Sequence, residues 1–228
     1  MVKVEERGGE RLGELFVGLA DGVVPEADGC VEVVPPDPAY PGLEAVLEFT
    51  AHAVVVTARS AATVAGRAID AYGGAVAPDV LRWLAGPGGW IDAHDVLLLG
   101  HGTGAGTGGD GDGSAPGLPE LGDDVRHPRL DVARDLRLDV RAHGDERGVV
   151  ALGTGLGGRR EVSIQLHAGV APGRGAGLSL LRDALDLVPA GAPVFACVSP
   201  GNARSLRCFL RAGFVPLGAE VLLRPAGP

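Results

Sequence analysis

The sequence predicts a mixed α/β fold, and three observations lead there. Segments with the helical period alternate with short β-branched runs along the 228-residue chain. A glycine-rich turn, Gly173-Arg174-Gly175-Ala176-Gly177, opens a helical pattern running from Leu178 to Leu185. The core must be aliphatic, because hydrophobic residues make up 46% of the chain and aromatic residues only 4%. A chain of this length buries a substantial core, as one large domain or two small ones.

In chain order, a short helix fits Glu10 to Leu19, and a proline-rich passage follows at Pro35-Pro36-Asp37-Pro38. After Pro41-Gly42 a short helix is expected from Leu43 up to a strand at His52 to Thr57, where β-branched residues cluster. Residues 61–72 and 78–85 read as helices, the second opened by Pro78-Asp79, and Asp95 to Leu99 reads as a buried strand. Residues 100–124 are rich in Gly and Asp, hold too few apolar residues to pack, and read as a mobile loop. Within them, Gly104-Ala105-Gly106-Thr107-Gly108-Gly109 spells GxGxxG but runs into Asp110-Gly111-Asp112-Gly113 rather than a helix. The context of a dinucleotide fold is therefore missing. Asp110-x-Asp112-x-Ser114 begins like a calcium loop, but Ala115 takes the required glycine position and Leu121 that of the bidentate glutamate.

The pattern then becomes regular. A helix fits 128–137, with Pro128 in its first turn. Strands fit 138–143, 148–154 and 161–167, the first two joined by a turn at Gly144-Asp145-Glu146-Arg147. A helix at 175–188, a strand at 193–198, a helix at 202–212 and a strand at 219–224 complete the set. Alternation in the third strand puts Val162, Ile164 and Leu166 on one face and Glu161, Ser163, Gln165 and His167 on the other.

The formal net charge of −9 argues against a nonspecific nucleic-acid binder or an anionic-membrane binder, which needs a basic face. It is compatible with an amine substrate or simply with a solvated acidic surface. Lys3 is the only lysine, and the arginine bias with abundant Ala, Gly and Pro looks like a GC-rich bacterial genome. Met1 to Arg7 contains no apolar stretch resembling a signal peptide, and no apolar run approaches bilayer length. Cys30, Cys197 and Cys208 are odd in number without CxxC spacing, so neither a disulfide framework nor a zinc site is implied. The six histidines lack metal-ligand spacing, and no G-x-S-x-G elbow is present. A cytoplasmic protein is expected.

A glycine-rich turn entering a helix exposes N–H groups and the positive end of the helix dipole, which together hold phosphate. The residues alone thus point to a phosphate-bearing ligand or to a plain tight turn. The order of the motifs adds more. It resembles the GCN5-related N-acetyltransferase (GNAT) superfamily, whose pyrophosphate loop reads Gln/Arg-x-x-Gly-x-Gly/Ala. In that family the loop is followed by a strand and an Asn-x-x-(Ala/Ser)-x-x-x-Tyr-x-x-x-Gly-Phe helix, matched here by Asn202 to Phe214. The resemblance implies a mixed, mostly antiparallel sheet flanked by helices over residues 91–228, best matched over 125–228. Residues 1–90 are then an N-terminal α/β extension of unknown role.

The resemblance also implies an acyl-CoA-dependent N-acyltransferase, with acetyl-CoA as co-substrate and a primary amine attacking the thioester directly. The expected cofactor contacts are Gly173, Arg174, Gly175, Ala176 and Gly177 in the loop, Asn202, Ser205 and Phe209 on the later helix, and His167. Glu161 is expected to receive the proton of the attacking amine, and His167 to lie beside the thioester. A backbone N–H of the strand ending at His167 is expected to hold the oxyanion. Two positions depart from the pattern. Pro172 replaces Gln or Arg and lacks an N–H, whereas Phe209 replaces the tyrosine that protonates the departing thiolate. Ser205, Cys208 or water are the substitutes for that acid. Both departures keep a second reading open, a catalytically silent module that retains the fold and senses acyl-CoA or binds a partner. The expected partners are an acyl-CoA and an amine acceptor, not nucleic acid or a membrane, and a homodimer is compatible with the sequence.

Overall fold

The computed structural model describes residues 2–4, 8–104, 117–171 and 173–226. The GxGxxG spelling beyond Gly104, the calcium-like Asp110-x-Asp112-x-Ser114 with Ala115, and Pro172 lie outside these residues. In chain order the elements are β1 (Val2–Val4), α1 (Gly8–Ala20), β2 (Cys30–Val34), β3 (Glu44–Phe49), β4 (His52–Val56), α2 (Ala61–Ala65), α3 (Pro78–Ala85), β5 (Trp90–Ile91) and β6 (Asp95–His101). They continue with α4 (Pro128–Leu136), β7 (Leu138–Asp145), β8 (Gly148–Thr154), β9 (Arg160–Leu166), α5 (Ala176–Asp186), β10 (Pro193–Val198), α6 (Ala203–Arg211) and β11 (Val215–Arg224). The chain divides into two units, one of residues 1–97 with 217–228 and one of residues 98–216.

In the first unit β1 runs parallel to β2 and β2 parallel to β4, while β3 pairs antiparallel with both β4 and β11. Its core joins Val31, Val33, Val46 and Val55 from the sheet to Val64 of α2 and Leu81 and Leu84 of α3. The helix expected from Leu43 up to His52 is instead the strand β3. Glu44 and Glu48 stand four apart among good helix formers, which mimics a helical face. Pairing on both sides and burial of nearly every residue override that local preference. The helix expected over 61–72 is also shorter. It stops after Ala65, and Ala68 takes φ 52 as the chain turns. Asp70 Oδ1 then accepts from the amides of Tyr72 and Gly74, a local bonding pattern that competes with helix.

In the second unit β7 and β8 form an antiparallel hairpin closed at Asp145–Gly148, and β9 pairs antiparallel with β8. β10 lies parallel to β9, with Phe195 opposite Glu161. Leu130 and Ala133 of α4 pack on Ala142, Val149 and Ala151, covering the sheet face that also carries Ser163. Leu180, Leu181, Ala184 and Leu185 form the buried stripe of α5. Helix, three antiparallel strands, helix, parallel strand and helix is the order expected of the GNAT fold, within a mixed and mostly antiparallel architecture. No helix among the described residues is long and apolar enough to cross a membrane.

Candidate functional site

The glycine turn caps α5 without a side chain. Gly173 and Gly175 adopt φ 83 and φ 85, the left-handed region that glycine enters freely. Gly175 is the residue before the first turn and supplies no capping side chain. A Cβ built at either glycine meets nothing within 4 Å. Space and backbone N–H groups therefore coincide at the positive end of an 11-residue helix. Arg174 stands exposed between the two glycines. Gly177 differs, since a Cβ there lies 3.6 Å from Cys208 Sγ and 3.8 Å from Leu166 Cδ1. A Cβ there makes ordinary contacts, whereas at Gly175 the backbone itself favours glycine.

One arginine fixes this helix end to the hairpin. Arg147 donates to Ser179 Oγ at 2.5 Å and to Asp183 Oδ2 at 2.5 Å, and also pairs with Asp145. Its hydrogen bond to Asp145 is the main reason that carboxyl is held below the usual range. None of this was visible in the sequence, because Arg147 reads there as an ordinary turn residue.

Glu161 does not suit the role of proton acceptor expected of it. The residue is buried at 6% exposure. Arg159 Nε donates to its Oε1 at 2.6 Å, and Arg137 Nε contacts its Oε2 at 2.7 Å. Burial alone raises this carboxyl, but the charges and hydrogen bonds of Arg159 and Arg137 outweigh it and hold the group below the ordinary range. A base for an amine needs a free oxygen and a raised affinity for protons, so the geometry makes Glu161 an anchor. Arg137 also donates to Ser163 Oγ at 3.1 Å, which ties the C-terminal end of α4 to the polar face of β9. Gly155 completes the arrangement, because the Glu161 carboxylate occupies the space a Cβ at 155 would need.

His167, at the other end of that face, is half-buried and its Nε2 lies 3.1 Å from the Asp145 carbonyl. A carbonyl only accepts, so Nε2 carries the proton and Nδ1 is left as an acceptor. Its backbone N–H donates to the Arg147 carbonyl at 3.0 Å and is not available for an oxyanion. Because N–H directions alternate along a strand, those of Ile164 and Leu166 point to the opposite side of β9, away from β8. The His127 ring sits edge-on to His167 with centroids 6.0 Å apart. His127 Nδ1 accepts from the Arg129 amide at 3.2 Å as the cap of α4. Burial, then positive charge at His167 and Arg129, push its pKa below the ordinary histidine value. Both rings line a cavity of about 290 Å³ with Leu121, Val125, Asp145 and Val149. The sequence reading missed His127; its only signal was a histidine directly before a helix-opening proline.

The later helix gives a mixed outcome. Asn202 caps α6 by accepting from the Ser205 amide at 3.2 Å, and both stand at the start of the helix. Phe209 is 3% exposed and packs edge-on against Phe214, centroids 4.9 Å apart, so it is a core residue rather than a ligand contact. Burial raises the Cys208 thiol, which keeps it in the protonated form. No group of three potential metal ligands forms among the described residues.

No family model and no curated protein matches this chain. Solved structures similar to it include the following two. One is a GNAT-family protein from Novosphingobium aromaticivorans, with 18% identity, 62% of this chain and 69% of that one covered, and a TM-score of 0.39. The other is a GCN5-related N-acetyltransferase from Kribbella flavida, with 17% identity, 62% and 61% covered, and a TM-score of 0.34.

Proposed function

We propose that this chain is an acyl-CoA-dependent N-acyltransferase that moves an acetyl group from acetyl-CoA to a primary amine. The observation that carries this reading is the uncapped, glycine-lined start of α5, reached directly from β9. There the amides of Ala176 and Gly177 hold the cofactor's pyrophosphate, and Arg174 adds a charge-assisted contact. The N–H groups of Ile164 and Leu166 serve the extended arm and the developing oxyanion. The bound thioester supplies an activated acyl carbon and a thiol whose ordinary pKa of ~8.5 makes its thiolate a tolerable leaving group. The acceptor occupies the cavity lined by His127 and His167. His167 Nδ1 takes the proton that the amine loses, and the Asp145 carbonyl holds the ring in the tautomer this needs. Glu161, with Arg137 and Arg159, fixes β9 beneath it.

One observation favours the silent module: Phe209 has no hydroxyl, and it is buried against Phe214. Calorimetry with CoA and acetyl-CoA tests both readings. No binding of either at millimolar ligand removes the transferase reading and the acyl-CoA-sensing form of the silent module. Binding with no transfer across a broad amine panel leaves the silent module. If transfer occurs, His167→Ala should lower kcat by about 10²–10⁴-fold while acetyl-CoA binding is unchanged; an unaltered kcat would strip His167 of its role.

A further inference from the structure

A second cluster of titratable side chains lies wholly within the unit formed by residues 1–97 and 217–228. Glu32 of β2 is 4% exposed and His52 of β4 is 5% exposed. They are brought near each other because β2 and β4 run parallel in register, with Cys30 opposite His52. Arg11 of α1 grips Glu32 with two contacts, Nε to Oε1 at 2.5 Å and Nη2 to Oε2 at 2.8 Å. His52 Nδ1 lies 3.0 Å from Asp28 Oδ1, which also accepts from the Cys30 amide at 2.9 Å. A carboxylate only accepts, so Nδ1–H donates to Asp28, and in the neutral ring Nε2 presents its lone pair.

That Nε2 is buried without a hydrogen-bond partner. The Glu32 Oε2 atom stands 3.6 Å from it, too far for a hydrogen bond. Leaving such a group unpaired is costly, so a donor is the missing component. Both residues line a cavity of about 310 Å³, near the lower end of the ~300–1,000 Å³ typical of small-molecule sites. Among the described residues four carboxylates line it, Glu14, Glu26, Asp28 and Glu32, against the guanidinium of Arg11. The rest of the wall includes Leu15, Val23, Val24 and Pro25, and the two valines are 65% and 58% exposed.

We infer that this cavity is a binding site for a small alkylammonium ion. Its N–H groups meet His52 Nε2 and Glu32 Oε2 together, its positive charge answers the carboxylate excess, and its alkyl part covers Val23, Val24 and Pro25. An ammonium fits because it offers three donors and no acceptor. An anion would face four carboxylates, and a neutral alcohol would bring one donor without the charge. The inference does not depend on the acyl-transfer reading.

The test uses the full chain and n-butylammonium chloride at pH 7.5, with the His52 ring nitrogens followed by NMR. The expected result is a saturable shift of His52 Nε2 in the millimolar range, absent with 1-butanol or butyrate at equal concentration. Glu32→Gln should weaken binding at least ten-fold. Because that change disturbs a buried ion pair, the exposed Glu14→Gln serves as the second variant and should weaken binding a few-fold in a normally folded protein. No His52 shift up to 50 mM amine overturns the inference. So does an equal response to 1-butanol, or unaltered affinity in a folded Glu14→Gln protein.

Discussion

Gly175→Glu separates the two uses of the glycine turn, conformation and ligand approach. At φ 85 a side chain enters the left-handed region, which costs about 1–2 kcal/mol. For a chain of this size that lowers Tm by roughly 2–8 °C, since each kcal/mol is worth about 2–4 °C. The Cβ itself meets nothing within 4 Å, so no clash adds to this cost. The effect on ligand is separate. A carboxylate about 4 Å from each of two phosphate charges is opposed by about 1 kcal/mol per charge even with water-like screening. Some 2 kcal/mol corresponds to about a 30-fold weaker complex, before any steric exclusion. Calorimetric titration with CoA reads this directly. Gly175→Lys carries the same backbone strain with the opposite charge, so it should show the same loss of Tm with much milder loss of affinity. Wild-type affinity in a folded Gly175→Glu protein would refute cofactor binding on this loop. Equal loss in the Lys and Glu variants would refute the electrostatic part.

Two further outcomes follow from the buried groups. Glu161→Gln leaves Arg159 and Arg137 without their counter-charge and should cost about 3–5 kcal/mol in urea unfolding; a loss under about 1 kcal/mol would deny the anchoring role. His127 has a lowered pKa in the folded chain, so as pH falls below ~6.5 the unfolded chain takes up a proton that the folded one declines. Stability is therefore lost on acidification through that window, and His127→Asn, which keeps a capping side chain, should flatten the slope relative to wild type. Parallel stability curves between pH 7 and 5 would contradict this.

Elements with clear punctuation are legible in both halves of the chain, and α1, β4, α3 and β6 also lie near their expected bounds. Pro128, the Gly144–Arg147 turn, the glycine run and Asn202 each stop or start an element, and α4 to α6 fall near the expected bounds. β3 was misread because its residues are good helix formers, and only pairing with β4 and β11 decides their state. β2 escaped notice although Cys30 to Val34 is rich in β-branched valine. The left-handed glycine turn before α5 and the Asn202 cap of α6 are legible from spacing, since each acts through its own backbone or its nearest neighbours. The place of Glu161 on the polar face of β9 is legible from alternation, but its partners are not. Its two arginines sit 24 positions before it and two before it, and neither distance is a pattern a reader would pair. His127 and His167 meet across 40 residues for the same reason.

The space shared by Gly155 and Glu161 limits how this sequence can drift. The carboxylate of one residue fills the volume in which the other would carry its first side-chain carbon. Neither site is free to change alone: an alanine at 155 must displace the acid, and once the acid is lost Arg159 and Arg137 lose the charge that keeps them buried. The four positions form one packed unit, and variants that fold should keep them together or replace them together.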